Sequence, residues 1–169
     1  FFGGGVDLAS ASGIAAPSGS TLPGAGSRPT VTNAGSTGIS LAMGNTVRGL
    51  NIGSSSPGIL GNTFGTATVS DLSITIVNAR AMDLSNGTLN ATFTAIAKGG
   101  SGDGIVLNNV AGDVDFGTST ITSTSSGRGI ILDGTGTGTS TFTVGGSVTT
   151  AEGTAVSISD ATLGSGGGG

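Results

Sequence analysis

The sequence predicts an all-β fold, a parallel β-helix or β-solenoid of about six coils with 20–26 residues in each. Three observations point there. A short apolar phrase returns along the chain, an Asn or Asp follows each copy, and helix-period patterning is missing while glycine reaches 35 residues.

The phrase reads GISL at 38, GILG at 58, AMDL at 81, GIVL at 104, GIIL at 129 and AVSI at 155, at intervals of 20, 23, 23, 25 and 26 residues. Its second place is always Ile, Met or Val, and its fourth is Leu or Ile in all but one copy. In a strand these two places face the same side, so they define core columns. Next comes a corner. Asn45, Asn62, Asn86, Asn108 with Asn109, Asp133 and Asp160 are residues that tolerate a left-handed backbone and bond their own main chain there.

After each corner a run rich in Val, Ile, Phe and Thr supplies a second strand: NTVRGLNI, TATVSDLSITI, GTLNATFTAI, GDVDFGTSTIT and TSTFTVGGSVT. Such a unit cannot bury its apolar face alone, so it stacks on its neighbours at ~4.8 Å, giving a rod roughly 30 Å long. Phe93, Phe116 and Phe142 fall 12, 12 and 13 residues after their phrase starts, which predicts one interior aromatic ladder.

Residues 1–37 differ. Pro17, Pro23 and Pro29 lie there amid Gly, Ser and Ala, so this part reads as an irregular leading segment or partial first coil, with RPTVTN (28–33) as its last strand. Coils are expected over 38–163 and a Gly-rich linker over 164–169. The opening FFGGGVD and closing GSGGGG read as the borders of a piece of something longer.

Composition excludes several functions. With no Cys, His, Trp or Tyr, this chain has no thiol or histidine catalysis, no Ser-His-Asp triad and no zinc-finger ligation. Five scattered bases against nine acids argue against nucleic acid, which needs clustered cations. No apolar run approaches the ~18 residues of a membrane span.

The phrases SRPTVTNAGSTGISLAMGNTVRGLNIG (27–53), AMDLSNGTLNATF (81–93) and GIVLNNVAGDVDF (104–116) resemble the right-handed parallel β-helix repeat proteins of the pectin-lyase-like superfamily. The resemblance is to non-catalytic bacterial surface and secreted members. It implies right-handed coils, a hand that parallel β crossovers favour in general, and it leaves function open, because this scaffold hosts lyases, hydrolases, adhesins and fibres.

Asp113 and Asp115 are the one candidate metal site. Two apart on a strand, they project to the same side. Phenylalanine alignment gives Asp115 the neighbours Thr92 and Thr141, and Asp113 the neighbours Asn90 and Thr139, so no further acid joins them. Calcium takes six to eight oxygens, and two carboxylates with Thr and Asn oxygens suit only weak calcium binding. The reading weighed against it is a solvated face. No other cofactor is expected.

A glycosidase needs two carboxylates across a bond, and the pair is ~6.7 Å apart along a strand. Yet a surface without Tyr or Trp offers little to stack on a sugar ring. Arg128 is the base best placed for a lyase-like site, and it falls in a turn between coils. Outward TxT pairs, Thr92 with Thr94 and Thr141 with Thr143, resemble ice-binding arrays, but Asp115 and Gly117 interrupt them. NGT (86–88) and NAT (90–92) match the glycosylation acceptor pattern, which a Thr-rich chain also produces by chance. The runs GTGTGT (134–139) and GSGGGG (164–169) lack the Lys of a phosphate loop.

The expectation is therefore a non-enzymatic structural module, extracellular or on a cell surface: a rod or fibre subunit that self-associates end to end or joins adjacent domains of the same longer chain. The alternatives are an adhesin passenger segment binding a host or surface ligand, and a polysaccharide lyase or hydrolase.

Overall fold

The computed structural model describes residues 24–53, 56–134 and 140–160, with the short pieces 4–7, 9, 13–15 and 17–19 before them. The strands in chain order are β1 (Thr30–Thr32), β2 (Ile39–Ser40), β3 (Thr46–Gly53), β4 (Ile59–Val77), β5 (Met82–Gly99), β6 (Ile105–Ala111), β7 (Asp113–Ser123), β8 (Ile130–Asp133), β9 (Thr141–Thr150) and β10 (Val156–Ser159). They pair in parallel throughout and wind into a β-solenoid of about 5 turns. The sixth phrase contributes only β10 among the described residues, and β1 lies within the RPTVTN run expected to be a strand. The GTGTGT residues 135–139, including Thr139, and the stretch 161–169 lie outside the described residues.

Each turn has three faces. On the first, Ile39, Ile59, Met82, Ile105, Ile130 and Val156 are register partners in succession, the same steps on which the phrase repeats. The fourth place gives the column Gly61, Leu84, Leu107, Leu132 and Ile158. Gly61 leaves room that Phe64 fills. A Cβ on Gly61 would meet Phe64 Cδ1 and Leu84 Cδ2 at 3.0 Å.

The second face turns Val47, Val69, Ala91, Val114 and Phe142 inward in one column, buried except for the half-buried Phe142. The third turns in Val31, Ile52, Ile74, Ile96 and Ser119, and beside it Ile76, Lys98, Ile121 and Val148, with Val31 and Val148 at the two ends half-buried. Outward positions between these columns are mainly Thr, Ser, Asn, Ala and Gly, which accounts for a core built with so little charge.

Phe93 and Phe116 stack, with ring centroids 6.4 Å apart and planes at 19°. Phe142 does not continue them: its partner is Val114, two residues before Phe116. Counting from the phrase start fails here because Ile130 to Phe142 spans 12 positions where Ile105 to Val114 spans 9.

The first corner is left-handed at Thr63, Asn86, Asn109, Gly134 and Asp160, with φ of 54°, 55°, 53°, 65° and 50°. Three of these are residues expected at the corner. Asn62 and Asp133 sit one place earlier, and Gly44 (φ 72°) rather than Asn45 takes the left-handed place of its turn. Side chains also form a ladder up this corner. Asn109 Nδ2 donates to Asn86 Oδ1 at 3.0 Å, and Asn86 Nδ2 to Asn62 Oδ1 at 3.4 Å.

Candidate functional site

Asp113 and Asp115 open β7 and point outward from the second face, both exposed. Alternation with the buried Val114 and Phe116 puts them there. Asp115 pairs in register with Thr92 on one side and Thr143 on the other, and Asp113 pairs with Thr141. The expected neighbours Thr141 and Thr139 are thus displaced by two residues, the same offset that separates Phe142 from the aromatic stack.

Asp115 Oδ1 accepts the Gly117 N–H at 2.8 Å, and Asn90 Oδ1 accepts the Asp113 N–H at 3.5 Å. The two acids line a shallow depression of about 330 Å³ with Ala91, Thr92, Val114, Thr141 and Thr143. Among the described residues no group of three or more acids, His or Cys comes together to hold a metal. The depression presents two carboxylates and three hydroxyls, a polar patch without a converging ligand set. The Thr pairs do not align either, since Thr92, Asp115 and Thr143 share one column while Thr141 belongs with Asp113.

A denser set of charges lies at the corner preceding the first face. Arg80, Asp103 and Arg128 each precede a core phrase and stand on successive turns. Arg80 bonds Asp83 at 2.7 Å and Asp103 at 3.2 Å. Asp103 Oδ1 accepts the Arg128 backbone N–H at 2.9 Å, with Arg128 Nε at 3.5 Å. Burial alone would raise the Asp103 carboxyl. The Arg128 N–H and guanidinium, together with Arg80, outweigh it and hold the group below the usual carboxylate range. Arg128 is thus a fastening of its corner, tied to the turn below it.

Lys98 is buried at 2% exposure inside the third face, between Ile76 and Ile121. Its Nζ donates to the carbonyls of Gly100 (3.1 Å), Ser101 (3.0 Å) and Gly102 (2.6 Å), so the ammonium closes the turn that delivers Asp103. Burial pushes this amine below the ordinary lysine range, opposed by Asp103. Sequence reasoning counted Lys98 only as one of five scattered bases. The signal was its place two residues after the inward Ile96.

Of the acceptor motifs, Asn86 is engaged in the corner ladder, and Asn90 is exposed on the second face. Fold and charges together define a parallel β-solenoid in which three of the four ion pairs seen among the described residues join one turn to the next. No family model matches the chain, and no curated protein or solved structure shows significant similarity to it.

Proposed function

We propose that the chain is a structural β-solenoid module of a secreted or cell-surface protein, a rod or fibre subunit that stacks end to end with neighbouring modules. With it we propose kinship to the right-handed, non-catalytic members of the pectin-lyase-like β-helix proteins.

The observation that carries the reading is where the charged side chains go. Arg48–Asp71, Arg80–Asp103 and Arg128–Asp103 each tie adjacent turns along the rod axis. Asp113 and Asp115 have only hydroxyl and amide neighbours across the strands. A rod needs cohesion between layers, and parallel ladders, apolar columns and axial ion pairs all supply it.

Electron microscopy of the native assembly tests this, with continuous filaments or bundled rods as the expected result. Isolated rods projecting from cells would favour an adhesin instead. Turnover in a polysaccharide-cleavage assay, lost in Asp113→Ala, would overturn the structural reading.

A further inference from the structure

One ladder position of the third face departs from its neighbours in chemistry. Ile76 and Ile121 fill it on the adjoining turns, and between them stands Lys98, the only lysine in the sequence. A long apolar stem suits that column. The ammonium at its end does not, because a buried charge is strongly unfavourable unless it is paired and hydrogen-bonded.

The turn that follows supplies the partners. Successive carbonyls of a strand point to opposite sides, but Gly100 and Gly102 take a left-handed backbone, with φ of 75° and 81°, and three consecutive carbonyls converge on one point. A side chain on Gly100 would run into Asn78 Oδ1. An ammonium has three donors and no acceptor, and the oxygens of Gly100, Ser101 and Gly102 meet it at 3.1, 3.0 and 2.6 Å.

All three partners are neutral. Converging backbone carbonyls are the ligands that replace the water shell of a monovalent cation, whereas divalent sites recruit carboxylates. Asp103, at the end of the same turn, bonds Arg80 and Arg128 and acts on Lys98 through its field. The cup is also tied to the turns on either side. Asn78 Oδ1 accepts the Ser101 N–H at 3.0 Å, Gly100 O accepts the Thr124 N–H at 3.1 Å, and Gly102 O accepts the Ser123 hydroxyl at 3.3 Å. Three successive turns thus meet around one positive charge.

We propose that the Gly100–Gly102 turn is a monovalent-cation site of the ammonium class, and that Lys98 is the cation it holds, supplied by the chain itself. The opposing account is a lysine whose stem fills an apolar column as Ile76 and Ile121 do, with the charge playing no part.

Lys98→Met separates the two, since it keeps a long apolar stem and removes the donors. The variant is expected to unfold at a lower urea concentration, and its Ser101 and Thr124 amides to exchange about tenfold faster, a loss of the size carried by hydrogen bonds to a charged group. A Met variant equal to wild type in both leaves only the packing account and overturns the proposal. Lys98→Ala empties the cup. Ammonium chloride should raise its urea midpoint above that in tetramethylammonium chloride at the same ionic strength, because the second ion has no N–H to donate, and wild type should not tell the two salts apart. An alanine variant indifferent to the salt overturns the site. Where circular dichroism shows a variant misfolded, the wild-type chain labelled with 15N-lysine takes its place. Its single side-chain resonance should be an ammonium whose protons exchange slowly with water at neutral pH; a neutral amine, or an ammonium in fast exchange, overturns the proposal.

Discussion

Gly87 lacks a side chain because an aromatic ring occupies the place where one would stand. A Cβ there would lie 2.6–2.7 Å from Cζ, Cε1 and Cε2 of Phe64, a residue with 0% exposure. The ring lies in the closed core, and a Cβ on Gly61 would meet its Cδ1 at 3.0 Å as well. Gly87→Ala should therefore destabilise the fold by about 1–3 kcal/mol, the ordinary cost of overpacking a closed core. Phe64→Leu costs stability by itself, but in the double variant part of the Gly87→Ala penalty should return, because the two residues compete for one volume. Urea titration of the four proteins reads this coupling. A Gly87→Ala midpoint equal to wild type would mean the ring does not hold that position.

At the scale of the element, the unit is a corner repeated on successive turns. Asp103 sits between Arg80 and Arg128 with its side chain only 15% exposed, while the two arginine side chains are 41% and 47% exposed. Water and salt screen such pairs, so Asp103→Asn should cost about 1 kcal/mol at neutral pH rather than the several expected of a buried triad. Its folded-state pKa is lowered, so the stabilisation is present above the ordinary carboxylate value of 3.8 and is lost as pH falls through the lower folded value. Wild type and Asp103→Asn should differ at pH 7 in thermal melts and converge in strong acid. A gap that persists there would assign the effect to packing.

This corner also marks how far the sequence could be read. The core phrase made the first-face columns legible because two side chains repeat at a fixed offset, and every register step agrees with it. The residue before each phrase runs Thr37, Pro57, Arg80, Asp103, Arg128 and Thr154, so the Arg-Asp-Arg ladder was open to the same alignment. Phe142 was not legible from spacing, because the distance from phrase to second face differs between turns: Ile105 to Val114 spans 9 positions and Ile130 to Phe142 spans 12. Left-handed Thr63 was equally hidden, since a β-branched residue is disfavoured there and only the surrounding ladder holds it at φ 54°.

The whole molecule behaves as a stack in which each turn is held by the turns on either side, so stability should vary along its axis. Turns formed by β4, β5, β6 and β7 have neighbours above and below. Among the described residues β10 pairs on one side, and its Val156 and Ile158 are exposed. In dilute solution, amide exchange should therefore be slowest in β4 and β5, faster in β9 and fastest in β10, through local openings that leave the centre intact. Uniform protection from β4 to β10 would show one cooperative unit and remove this axial picture.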